Sequence, residues 1–124
     1  MLVWSGEHYH FGNELGISPG AVSSYLTKDE CDAHMIFHDH WSVAETRIPR
    51  YFEKLEEAGY PYDFAPVMAS GLRSDNAPPS SGIVDVIERW NRVHGTAIRI
   101  EMVTLSRFFE RLRDEPAEIS VHRG

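Results

Sequence analysis

The sequence predicts an α/β fold, with parallel strands and helices packed outside, and three runs of residues carry that expectation. Residues Asp63-Phe64-Ala65-Pro66-Val67-Met68-Ala69 read as a buried apolar strand that empties into a polar loop from Ser70 to Ser80. Ile83 to Val93 then places apolar residues at helical spacing, and Ile98, Ile100 and Met102 alternate with Arg99, Glu101 and Val103 as a second strand would. Glu118 to His122 alternates as a third. Strand, loop, helix, strand makes a βαβ unit, whose strands lie parallel and adjacent and whose ligands gather beyond the strands' carboxyl ends. The loop from Ser70 to Ser80 is therefore the first place to look for chemistry, and Asp75 is its only carboxylate.

Length and composition narrow the function classes. A chain of 124 residues with 42% hydrophobic residues suits a single domain, 1–124. At this size a domain buries roughly two-thirds of its unfolded surface. A formal charge of -7 and a pI near 5.4, with no basic cluster, argue against nucleic acid or an anionic membrane surface as partner. No apolar run reaches the roughly 18 residues of a membrane span. The first residues lack the basic start and apolar core of a signal peptide, and the single cysteine cannot form an internal disulfide. A cytoplasmic setting is the expectation.

Along the chain, Ser5 to Gly16 mixes aromatics with three glycines, as a specific, partly buried loop does. His8 and His10 would share one face of an extended segment and could ligate a divalent metal. They read equally as hydrogen-bonded loop histidines, and the lack of a third ligand favours that second reading. Thr27-Lys28-Asp29-Glu30 is a capping box that starts a helix near Lys28. His34 and His38 stand on it at i, i+4, with His40 beyond. A metalloprotease helix needs a glutamate directly after the first histidine, where this chain has Met35, so that motif fails.

Ser42-Val43-Ala44-Glu45 offers a second capping box, and Ala44, Ile48, Tyr51, Phe52 and Leu55 form an apolar stripe running to Gly59, a natural C-cap. Pro49 inside this pattern either kinks the helix or begins a new one. Ser80 or Ser81 is expected to cap the helix bearing Ile83, Val84, Ile87, Trp90 and Val93, with Trp90 in the core and Gly95 at the end. Thr104 or Ser106 caps a last helix with Leu105, Phe108, Phe109 and Leu112 inward and its arginines in solvent. A βα fold would place a loop and helix after the strand-like run that ends the chain, so the sequence reads as a segment of a larger domain.

Five pieces in order, Gly59-Tyr60-Pro61-Tyr62-Asp63, Ser74-Asp75-Asn76-Ala77-Pro78-Pro79, Trp90-Asn91, Thr104-Leu105-Ser106-Arg107-Phe108-Phe109 and Ile119-Ser120-Val121-His122-Arg123-Gly124, resemble the middle of the catalytic domain of glycoside hydrolase family 38, the α-mannosidases. The likeness runs from Ala44 to Gly124 and is loose before Asp39. It implies a segment of a larger catalytic β/α-barrel domain, here a partial β/α barrel, in a retaining hydrolase that acts on α-mannoside-like carbohydrate. It implies zinc for the full-length enzyme, but the family's zinc ligands and nucleophile are not recognisable in this chain. Asp75 fits the position of the acid/base carboxylate. Arg73 and Asn76, its neighbours, are the candidate substrate-binding residues. Many relatives have two adjacent acids where this chain has Asp75-Asn76, and an asparagine cannot donate a proton as an acid does. The alternative expectation is a non-catalytic α/β domain that binds a ligand or a partner chain.

Overall fold

The computed structural model describes residues 11–18, 40–69 and 80–115. Among them are four helices, α1 (Phe11–Glu14), α2 (His40–Glu57), α3 (Gly82–His94) and α4 (Leu105–Asp114), and no strand. The expected parallel strands at Asp63–Ala69 and Ala97–Val103 are therefore corrected, and with them the partial β/α barrel; the third run, 118–122, lies outside the described residues.

The reason is visible in where the backbone groups go. The Trp90 indole N–H donates to the carbonyl of Ile98 at 2.7 Å. The Asn91 carboxamide bonds both sides of Ile100, donating Nδ2–H to its carbonyl at 2.8 Å and accepting from its N–H at 2.9 Å. Asn91 thus does for Ile100 what the neighbouring strand of a ladder would do. In the 64–69 run, the Phe64 carbonyl accepts from the Tyr60 hydroxyl at 3.0 Å, and the Met68 carbonyl accepts from the Gly12 N–H at 2.8 Å. These four carbonyls and the Ile100 N–H are thus engaged by side chains or by α1, and none of them by a neighbouring strand. The alternation holds only over part of each run: Val67, Ile98 and Ile100 lie against the core and Met68 is 62% exposed, but Met102, which the same alternation would turn inward, is 69% exposed.

The core gathers Phe11, Leu15 and Ile17 from the first segment, Trp41, Ala44 and Ile48 from α2, and Trp90 from α3. Trp90, on the apolar stripe of α3, is 1% exposed, as its spacing predicts. Truncating such a residue costs about 3–5 kcal/mol. The Trp41 and Trp90 rings meet at 6.1 Å, and the Phe11 ring packs edge-on to Tyr51 at 4.8 Å. A second apolar group ties the end of α2 to α4. Tyr60, Tyr62, Phe64, Phe108 and Phe109 form a continuous line of ring contacts at 5.2–6.0 Å.

Helix ends show which local signals hold. α2 stops in a Schellman arrangement: Tyr60 N–H bonds the Leu55 carbonyl, Gly59 N–H bonds that of Glu56, and Gly59 takes the φ of 74° that this closure needs. The one-turn α1 closes the same way, with Gly16 at φ 81°, its N–H on Asn13 and that of Ile17 on Gly12. Thr104 caps α4, its hydroxyl accepting from Arg107 N–H at 3.3 Å.

Other expectations give way. Ser42 lies inside α2, which begins at His40, and its carbonyl accepts from the Thr46 hydroxyl. Pro49 sits within a single 18-residue helix and starts no new one. Ser81 occupies the N-cap of α3 with helical dihedrals and no side-chain cap bond. Leu105 faces outward, not inward, and Val84 and Val93 of α3 are exposed as well. Among the described residues, no helix is long and apolar enough to cross a membrane.

Candidate functional site

The residues expected to act, Asp75 with Arg73 and Asn76, lie outside the described residues. The structure does describe both chain ends that meet this loop. On the leading side, Met68 is held to α1 by the Gly12 hydrogen bond. That contact is close: a Cβ on Gly12 would stand 2.8 Å from both the Met68 carbonyl oxygen and the Ala69 Cβ. On the trailing side, Ser80 and Ser81 turn directly into α3, their carbonyls accepting from the N–H groups of Ile83 and Val84.

Behind the leading side lies a polar pair buried in an otherwise apolar region. Glu14 is 2% exposed and Arg47 is 4% exposed. Arg47 Nη1 donates to the Glu14 backbone carbonyl at 2.7 Å and stands 3.9 Å from the carboxylate Oε2, an oxygen with no hydrogen-bond partner among the described residues. A carboxylate oxygen in that condition is costly to bury. Asn13 and Ser18 are buried beside them in sequence.

The second polar group joins α2 to α3. His94 Nε2 and Glu45 Oε1 are 3.1 Å apart, and the His94 ring stacks on Trp41 at 6.0 Å and lies 4.5 Å from Trp90. Arg89 places its guanidinium 3.9 Å from the Trp41 ring centroid. Both groups are partly exposed, so the contact is a hydrogen-bonded clamp of modest strength. A similar clamp pairs Arg111 with Asp63 at 3.0 Å, above the Phe64 ring. Tyr60, in the aromatic line, has its hydroxyl pKa pushed up to about 12 by burial, with lesser contributions from Tyr51 and Tyr62.

An open surface groove of about 470 Å³ runs along α4, lined by Ser106, Phe109, Glu110 and Arg113, none of them expected from the sequence to act. Among the described residues, no three His, Cys, Asp or Glu side chains come together as metal ligands do. His8, His10, His34 and His38 lie outside those residues, and His40 opens α2. Comparison with family models, with curated proteins and with solved structures finds no match.

Sequence reasoning missed Glu14 and Arg47. A signal for Arg47 was present, since it stands three residues after Ala44 and four before Tyr51, on the apolar stripe of α2. A charge on that stripe must be paired. Glu14, in a short glycine-bounded turn, has no periodicity to betray its burial.

Proposed function

We propose that the chain is a segment of a retaining glycoside hydrolase acting on α-mannoside-like carbohydrate, and that it contributes the loop bearing the acid/base carboxylate, Asp75. The observation that carries this reading is the order and spacing of the five sequence pieces between Gly59 and Gly124. Several of those residues have framework roles in the structure. Trp90 and Asn91 grip the 98–100 run, Thr104 starts α4, and Tyr60 and Tyr62 belong to the aromatic line that reaches Phe108 and Phe109.

In this mechanism Asp75 donates its proton to the leaving-group oxygen while a carboxylate from elsewhere in the catalytic domain attacks the anomeric carbon. Asp75 then takes a proton from the water that opens the glycosyl–enzyme bond. Retention needs the two carboxyl groups about 5–5.5 Å apart, so this segment alone is inactive. Arg73 and Asn76 flank the acid as substrate-binding groups. Arg73, if it reached Asp75, would favour the charged carboxylate. The zinc that the family resemblance implies would be held by residues outside this chain, and no step is assigned to it. A cytoplasmic setting belongs to the same proposal, and the single cysteine supports it.

A second reading has the chain catalyse nothing and bind a partner. The exposure of Met68, Met102, Val103 and Leu105 favours it. In the first reading the same residues would meet the rest of the catalytic domain. The adjoining DNA separates the two: an open frame carrying His-x-Asp upstream, and Asp-Trp with a later His-Asp downstream, supports the glycosidase.

The direct test is Asp75→Ala in the full-length protein, assayed on a natural α-mannoside disaccharide and on 4-nitrophenyl α-mannoside, whose leaving group needs little protonation. Turnover of the disaccharide should fall by roughly 10²-fold or more, with a much smaller loss on the aryl glycoside and rescue of the latter by azide. Equal losses on both with a lowered melting temperature, or no α-mannosidase activity in the parent protein, would overturn the proposal.

A further inference from the structure

We infer that the 99–103 run is an open strand edge on which a second copy of this chain docks, the two runs pairing antiparallel about a twofold axis at Ile100. The inference goes beyond the glycosidase reading and does not rest on it.

It begins with the direction of backbone groups. The one Asn91 carboxamide bonds both the N–H and the C=O of Ile100, at 2.9 and 2.8 Å, which requires that those two groups point the same way, as they do in an extended chain. Thr104 closes the run with extended dihedrals, φ -79° and ψ 156°. Arg99 Nε and Glu101 Oε1 are 3.0 Å apart, so residues two apart share a face, as extension also requires. In such a chain successive residues turn their N–H and C=O to opposite edges. The Ile98 carbonyl and both groups of Ile100 are taken by Trp90 and Asn91 of α3. Arg99, Glu101 and Val103 therefore turn theirs away from α3, where among the described residues they meet no hydrogen-bond partner. Arg99 and every residue from Glu101 to Arg107 are exposed. An open, unpaired edge of this kind is a template for another strand.

The side chains select a second copy as the occupant. With the twofold axis at Ile100, Arg99 stands opposite Glu101 of the second copy, and Glu101 opposite Arg99 of the second copy, which makes two cross-strand pairs of opposite charge. The backbone groups of the same residues are the ones that point outward, so each pair exchanges both of its N–H···O=C bonds. The ladder stops there, because the Ala97 N–H that would meet Val103 is bonded to the His94 carbonyl. On the opposite face, Met102 would lie across from Ile98 of the second copy, at the rim of the core, which gives an apolar neighbour to a methionine that is 69% exposed. Other registers lose this match. An axis at Glu101 sets glutamate against glutamate, and an axis at Met102 sets Glu101 against Val103 and Arg99 against Leu105.

The test is the association of the full-length protein, followed by sedimentation over a range of concentrations. A reversible dimer is expected. Arg99→Glu and Glu101→Arg each set like charges opposite one another, and each should raise the dissociation constant by about 10-fold or more. Mixing the two variants restores both opposite-charge pairs and should give a heterodimer as tight as the parent dimer. The two side chains are 67% and 47% exposed, so the variants should keep the parent fold by circular dichroism. Hydrogen exchange gives an independent readout, since the Arg99 and Glu101 amides should gain protection as concentration rises while the Ile100 amide, already bonded to Asn91, should not change. A monomer at every concentration, a dimer indifferent to both single variants, or a mixture no tighter than its components would overturn the inference. So would protection of the Arg99 and Glu101 amides in the monomer, which would mean that another segment of the same protein occupies the edge.

Discussion

Asn91→Ala tests the central feature of the fold, the replacement of a strand partner by a side chain. The change removes two hydrogen bonds, Asn91 Nδ2–H to the Ile100 carbonyl at 2.8 Å and Ile100 N–H to Asn91 Oδ1 at 2.9 Å. Each is worth about 1 kcal/mol net, so the pair contributes about 2 kcal/mol. Alanine is the better helix former by about half a kcal/mol, which offsets part of the loss on α3. A net destabilisation of about 1.5 kcal/mol should remain. For a chain of this size that lowers the melting temperature by about 6 °C, readable by circular dichroism. Hydrogen exchange gives the sharper result, because the Ile100 amide should lose its protection in the variant while amides within α3 keep theirs. If the Ile100 amide stayed protected, a backbone partner would be holding it, and the side-chain account of the 98–100 run would be wrong. Asn91→Asp adds a sign. Its carboxylate would still accept from Ile100 N–H but would face the Ile100 carbonyl with a second lone pair, raising the folded pKa of the acid. Stability would then be highest below the unfolded pKa of about 3.9 and fall as pH rises through the folded value.

Gly12→Ala should destabilise by about 1–3 kcal/mol, since the new methyl group meets the Met68 carbonyl and Ala69 Cβ at 2.8 Å, and neither is the free end of a flexible side chain. Urea denaturation reads this, and a change below about half a kcal/mol would mean that the 68–69 segment can withdraw from α1. Tyr60 makes an alkaline prediction. Its folded pKa of about 12 lies above its ordinary value of 10.0, so the contribution to stability is present in full below pH 10 and is lost as pH rises towards 12. Tyr60→Phe should flatten that part of the stability curve, and an unchanged curve would place the alkaline loss elsewhere.

How much of this fold the sequence discloses depends on whether a signal is local or tertiary. Gly59 closing α2, Thr104 capping α4 and Trp90 in the core are each decided by a few neighbouring residues, and each reads correctly. Ser81 and Leu105 fail because a cap hydroxyl can be left unused and one face of a helix end can lie beyond the core. The strand expectation fails for a deeper reason. Alternation of Ile98, Ile100 and Met102 records only that successive side chains point to opposite sides, which any extended segment satisfies. Whether its backbone is bonded to another strand or to Trp90 and Asn91 depends on contacts eight and nine residues back, which periodicity cannot register.

The buried pair of Glu14 and Arg47 falls between these cases. Helical spacing put Arg47 on the apolar side of α2, and burial of a guanidinium demands a hydrogen-bonded partner, so the existence of a partner was legible. Its identity was not, because Arg47 bonds a backbone carbonyl, a group that every residue carries and that leaves no mark in sequence.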